Sequence, residues 1–258
     1  MAEPFTRITL ASTYRNLPIE LFISPGSSRS HTLLVLNPGA FETAWGDVNR
    51  YRTILLWLQR NIAPSPYIMG YQTARQPIVP PPYDPTSSDY WQRMEAYWIQ
   101  AFAGKTFIHE LTDVSRAYTY ALTHNRIDTI YTLGFSLGGT LGLLLTQRFR
   151  QIRKLCLVGS AASTKRPHLP VLTKYPAKSK IFKVTASYRR NLLVLQGTAD
   201  TVVPQKDAVD ILSSAVSAHT AKLVRYRGAD HMFSGNNRYG LFEKERLLNE
   251  FIHFFQTP

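Results

Sequence analysis

Residues 129–149 read TIYTLGFSLGGTLGLLLTQRF. Thr129 to Leu133 is a short apolar run with the β-branched character of a strand. Gly134-Phe135-Ser136-Leu137-Gly138 follows and matches G-x-S-x-G, and Leu137 to Phe149 then reads as an apolar helix. A strand that feeds straight into a helix is the building unit of an α/β fold with a parallel sheet. The turn between them also carries chemistry. A serine hydroxyl is a weak nucleophile unless it is exposed to a base and set beside oxyanion donors. Gly134 and Gly138 remove side chains where such a turn crowds backbones together, and Ser136 projects from it. The Leu137 amide opens the helix, so it can point at a developing negative charge.

The rest of the chain continues the alternation. Phe5 to Leu10 and Leu17 to Ile23 read as an antiparallel hairpin, and Thr32 to Leu36 as a strand covered on both faces. Val48 to Asn61 reads as a helix, Tyr67 to Tyr71 as a strand and His109 to His124 as a helix. Beyond the serine, strands are expected at Arg153 to Val158, Asn191 to Gln196 and Lys222 to Tyr226. Helices are expected at Pro204 to Ala218 and Leu241 to Phe255. Two stretches interrupt the pattern. One runs from about 76 to 107 and is rich in proline and aromatics; the other runs from about 161 to 190 and is basic. Long segments outside a scaffold often form lids or binding loops. The expectation is a single domain over residues 1–258 with these two insertions.

A serine nucleophile needs a base, and the base needs an orienting carboxylate. Asp200 lies in QGTADTVVP, just past a strand end, and is the first acid after Asp128. Catalytic groups collect at that edge of an open α/β sheet. Asp230 is a rival acid, though it adjoins the candidate base His231 in GADHMF. His231 follows the final strand, where a loop can bring it over the serine. His31, His109, His124, His168, His219 and His253 have no such position.

The order Ser136, Asp200, His231 and the elbow before it resemble the α/β-hydrolase superfamily, from the Thr32 strand to the terminal helix. That resemblance implies a mostly parallel central sheet flanked by helices, with a small cap or lid insertion. It implies a second oxyanion donor in the loop Leu36-Asn37-Pro38-Gly39-Ala40-Phe41. Many members carry His-Gly where this chain has Asn37-Pro38. By position the donor is Gly39, with Ala40 next, since proline has no amide hydrogen. The resemblance further implies acyl transfer through an acyl-enzyme, without metal or other cofactor. Dehalogenases and epoxide hydrolases of this kind use an aspartate at the elbow, so Ser136 directs the reading to esters, thioesters and related acyl compounds. A small-molecule carboxylesterase is the default. An acyltransferase, thioesterase or cyclase acting on a biosynthetic intermediate is the alternative, and a non-catalytic binding protein a weaker one. Pocket walls are expected from Phe41, Trp45, Phe135 and Met232, and further from Tyr83, Trp91 and Trp98.

Composition bounds the partners. The chain has 258 residues, 44% hydrophobic and 18% charged, which suits a globular protein. No apolar run reaches the roughly 20 residues of a membrane span, and the N-terminus lacks a signal-peptide pattern. A cytoplasmic protein is therefore expected. Its single cysteine, Cys156, sits in an apolar run and reads as a small core residue. The formal charge is +13. Between Thr129 and Ala199 there are twelve Lys or Arg and no acid. Eight of those cations fall in 161–190, where the resemblance places the cap; they form either a solubilising face or a cap that receives an anionic acyl substrate. No interleaved aromatic and basic pattern points to nucleic acid. Oligomeric state is not legible from the sequence.

Overall fold

The computed structural model describes residues 5–42, 50–81, 87–233 and 240–257. Eight strands form one sheet: β1 (Thr6–Ala11), β2 (Pro18–Ser24), β3 (Thr32–Asn37), β4 (Tyr67–Gln72), β5 (Thr129–Phe135), β6 (Ile152–Val158), β7 (Asn191–Gly197) and β8 (Thr220–Tyr226). Their order across the sheet is β1-β2-β4-β3-β5-β6-β7-β8. β2 pairs antiparallel with both β1 and β4, and every pairing from β4 through β8 is parallel. All strands from β3 to β8 therefore end at one edge.

Period-2 alternation sorts the side chains into two cores. Leu33 and Val35 of β3, Leu155 and Leu157 of β6, and Leu192 and Val194 of β7 face one layer of helices. That layer includes α3 (Phe107–His124), α4 (Leu137–Leu145) and α6 (Gln205–Ser214). Leu34, Leu36, Cys156, Leu193 and Leu195 face the other way, toward α1 (Arg50–Asn61) and α7 (Gly240–Gln256). A strand buried on both faces must be apolar at consecutive positions, which is why TLLVL and LCLV mark the sheet centre. Cys156 is fully buried, and burial pushes its thiol well above the usual range, so it is a packing group. Lys154 is almost as deeply buried. Its ammonium stacks on Tyr131 and donates to the carbonyls of Phe254, Phe255 and Thr257, satisfying the orphan end of α7.

The interruptions contain two helices that the sequence pattern does not announce, α2 (Tyr90–Ala101) and α5 (Lys178–Ser187). Neither has a side-chain N-cap hydrogen bond or an acid in its first turn. α2 is held instead by tertiary burial of Tyr90, Tyr97 and Ala101. α4 stops at Leu145, short of the expected Phe149, and residues 146–148 form turns. The two interruptions are joined to each other: Val171 N–H donates to Lys105 O at 2.9 Å, and Phe107 N–H to Thr173 O at 2.9 Å. Lys105 is fully buried and anchors this junction. Its Nζ lies 2.6 Å from Glu110 Oε2 and 3.0 Å from Asp113 Oδ2, and donates to Ala74 O at 2.7 Å. Among the described residues no helix is long and apolar enough to cross a membrane.

Candidate active site

Ser136 stands between β5 and α4 with φ 49° and ψ −120°. Left-handed φ is costly for a residue with a Cβ, about 1–3 kcal/mol, and persists only where the surroundings impose it. Here they do: Ser136 N–H donates to Val158 O at 2.8 Å, and Gly139 N–H to Ser136 O at 3.1 Å. The glycines are required by close approach. A Cβ on Gly134 would overlap the backbone of Gly139, and one on Gly138 would overlap the carbonyls of Asn37 and Pro38. The Leu137 amide is the first of α4, one of the N–H groups a helix leaves without an intrahelical partner. It also sits at the positive end of the helix dipole.

The structure brings the three expected side chains into one hydrogen-bonded row. His231 Nε2 lies 3.1 Å from Ser136 Oγ, and His231 Nδ1 lies 2.8 Å from Asp200 Oδ2. A carboxylate only accepts, so the proton sits on Nδ1 and Nε2 is left to accept from the serine. Asp200 is well held. Oδ1 accepts from the amides of Val202 and Val203, both at 2.8 Å, and Oδ2 also accepts from Gln196 Nε2 at 3.1 Å. Burial raises the Asp200 pKa, but the hydrogen bonds from His231, Val203 and Val202 outweigh it. The carboxyl is held below its ordinary value and stays ionised. Asp230 turns away: its Oδ1 accepts from the Met232 amide at 3.0 Å. The other histidines lie elsewhere, as with His109, which takes part in capping α3. Among the described residues no group of three His, Cys, Asp or Glu is placed to hold a metal ion.

The loop after β3 approaches Ser136 from the opposite side. The Gly39 backbone faces the serine, since a Cβ added there would lie 3.6 Å from Ser136 Cβ. Its amide is already engaged, donating to Glu42 Oε2 at 3.1 Å. The same Glu42 oxygen accepts from Tyr51 OH. Glu42 had no signal in the sequence, because its role depends on a local turn (Glu42 N–H to Gly39 O, 3.3 Å) and on a helix nine residues on. Asn37 stands at the end of β3, where this loop begins. Fully buried, it donates from Nδ2 to Gly138 O at 3.2 Å. Its Oδ1 accepts from Tyr71 OH at 2.8 Å and Tyr118 OH at 3.2 Å. This amide ties the end of β3 to the first turn of α4, the two places that carry the candidate oxyanion donors. A polar residue closing the apolar run TLLVL was the visible hint.

The expected pocket walls divide. Phe41 has φ 67° and stacks on Trp98 with centroids 4.9 Å apart, which joins the β3 loop to α2. Met232 is 45% exposed beside His231. Phe135 is committed to the core instead. As the residue before Ser136 it faces the opposite layer, where it packs on Tyr51 and Phe251. Ala40 is half-buried against the core. Trp45 and Tyr83 lie outside the described residues, and so does the side chain of Trp91.

The basic stretch is divided between the two edges of the sheet, with Lys165 and Arg166 in the connection after β6, on the side of Ser136. Lys178 is bridged to Asp207 at 3.1 Å and Asp210 at 2.9 Å. Arg189 and Arg190 immediately precede β7, at the edge of the sheet opposite Ser136. α5 carries the chain from one edge to the other.

No protein-family model and no curated protein matches the sequence. Solved structures do match in three dimensions. The Pyrococcus furiosus esterase Pf2001 superposes with a TM-score of 0.67 at 12% identity, over 98% of this chain and 92% of that one. The chain has the α/β-hydrolase fold. The peroxisomal α/β-hydrolase Lpx1 from Saccharomyces cerevisiae gives 0.65 at 11% identity, over 99% and 90%. Est1E from Butyrivibrio proteoclasticus gives 0.59 at 13%, over 95% and 97%. At these identities the likeness speaks for the α/β-hydrolase fold, and the chemistry has to be read from the site.

Proposed function

We propose that this α/β-hydrolase is a serine esterase that cleaves small-molecule carboxylic esters through an acyl-enzyme. The hydrogen-bonded row Ser136–His231–Asp200 at a strained strand-to-helix turn carries this reading. His231 Nε2 takes the proton from Ser136 as Oγ attacks the ester carbonyl. Asp200 keeps the imidazole oriented and stabilises its cationic form. The imidazolium then protonates the departing alcohol, and a water deprotonated by His231 releases the acid from Ser136. The Leu137 amide serves the oxyanion. The Gly39 amide joins it once Glu42 withdraws, so Glu42 is displaced as the tetrahedral oxygen forms. Each such donor supplies about 2.7–4 kcal/mol of barrier lowering.

Phe41, Trp98 and Met232 supply the walls of the substrate site. A flat apolar or aromatic acyl group fits the stacked Phe41–Trp98 pair. Est1E has been solved with ferulic acid bound, an aromatic acid held on the same scaffold. A strong preference for anionic esters does not fit a site edge that presents the Glu42 carboxylate.

Labelling by a fluorophosphonate probe tests the reading. Wild-type protein is expected to label on Ser136 and to hydrolyse p-nitrophenyl esters, with both activities lost in Ser136→Ala. Folded wild-type protein that neither labels nor hydrolyses any member of an ester panel would refute it.

A further inference from the structure

We propose that the sheet edge opposite Ser136 docks the protein on an anionic phospholipid surface. Three connections meet there: residues 125–128 before β5, 146–151 before β6 and 188–190 before β7. The strands they feed are neighbours, with Ile130 beside Ile152 and Lys154 beside Asn191. Adjacent strands lie about 4.8 Å apart, so the connections form one continuous edge.

Six arginines project from it: Arg126, Arg148, Arg150, Arg153, Arg189 and Arg190, all exposed. None of them has an acidic partner among the described residues. The three connections hold one acid, Asp128, which lies 4.0 Å from His31. Lys154, the buried neighbour of Arg153, has a structural duty at the end of α7 and finds its partners there. A cluster of unpaired arginines repels itself, and an external phosphate layer relieves that repulsion. Arginine's planar fork also suits phosphate oxygens.

A lipid surface fits this edge better than nucleic acid. Stacking platforms for bases need exposed aromatic rings. The aromatics on these connections, Phe149 and Tyr188, are both buried. The exposed apolar groups are aliphatic. Val216, 79% exposed, lies in the connection before β8, next along the edge after β7. Arg148 also rims a recess of about 310 Å³ lined by Leu111, Leu144 and Leu145. Docked by this edge, the protein turns Ser136 toward the aqueous side.

Co-sedimentation of the full chain with vesicles tests the idea. Binding to phosphatidylcholine vesicles carrying phosphatidylserine is expected to exceed binding to pure phosphatidylcholine by at least several hundredfold at low salt, at about fivefold per arginine. Salt of about 0.5 M should abolish the difference. The pairs Arg148→Gln/Arg150→Gln and Arg189→Gln/Arg190→Gln should each weaken it by roughly twentyfold, at about fivefold per charge. Both pairs lie far from Ser136 and should leave its probe labelling unchanged. Lys165→Gln/Arg166→Gln, in the connection after β6 at the catalytic edge, should bind vesicles like wild type. Three results would overturn the proposal: equal binding to both vesicle types, equal loss in the Lys165/Arg166 pair, or tighter retention on a single-stranded DNA oligonucleotide than on the anionic vesicles.

Discussion

On one side of Ser136, Asp200 is held by groups two, three and four residues away, the amides of Val202 and Val203 and the amide side chain of Gln196. On the other side, Asn37 is held by partners 34, 81 and 101 residues distant, Tyr71, Tyr118 and Gly138. Both loops place polar groups at the same serine. The acid loop is a self-contained turn that organises a carboxylate wherever the sheet puts it. The β3 loop takes its shape from the packed interior, and any change to it is felt in the core. Damage to the acid side should therefore appear mainly in turnover, with a smaller loss of stability than on the β3 side. Damage to the β3 side should appear in both.

The largest effect is expected from His231→Ala. Removing the base should cost on the order of 10⁶ in kcat, with a thermal transition close to that of wild type. Asp200→Asn comes next, at about 10⁴. Its reason is geometric. The side-chain oxygen would stay with the Val202 and Val203 amides, which turns the NH2 group toward His231 Nδ1. Nδ1 must then accept, the proton moves to Nε2, and Nε2 can no longer take the serine proton. This variant also checks the electrostatics of Asp200. A carboxyl whose folded pKa is depressed contributes stability above its unfolded pKa, near 3.9, and loses it as pH falls through the lower folded value. The gap in Tm between wild type and Asp200→Asn should thus be widest near neutral pH and close below about pH 4.

Asn37→Ala is expected to lower kcat by about 10- to 100-fold with little change in KM, because the two oxyanion donors lose register. It should also cost about 1–3 kcal/mol of stability, since Gly138 O and two tyrosine hydroxyls lose a buried partner. A normal stability with reduced kcat would break the contrast between the loops. The smallest effect is expected from Glu42→Gln. With the charge removed, the Gly39 amide is released more easily and kcat/KM for neutral esters should rise a few-fold, by about 1 kcal/mol of hydrogen-bond strength. A tenfold fall would show that Glu42 assists the reaction instead of yielding to it.

The same contrast of length scales explains what the sequence disclosed. The apolar runs of β3, β5, β6 and β7 and the elbow at Ser136 are local patterns, so the sheet and the serine turn were legible. Asp200 and His231 were legible as well, because each lies just past a strand end in a short polar turn. Glu42 on the Gly39 amide, the Asn37 hydrogen bonds and the core position of Phe135 were not. Each depends on which elements pack together, and no short spacing encodes that. α2 and α5 escaped notice for a related reason: they lack side-chain capping hydrogen bonds and first-turn acids, and are stabilised by burial. The basic stretch looked like one feature in the chain and proved to be divided between two edges by a helix about 15 Å long, at 1.5 Å per residue.

The central claim is that Ser136 carries the acyl group. Mass analysis of wild-type protein acid-quenched during turnover of p-nitrophenyl acetate addresses it directly. An acetyl group on the peptide containing Ser136, absent in Ser136→Ala, is the predicted result. Ester turnover with the acetyl group on another residue, or undiminished turnover in Ser136→Ala, would contradict the account.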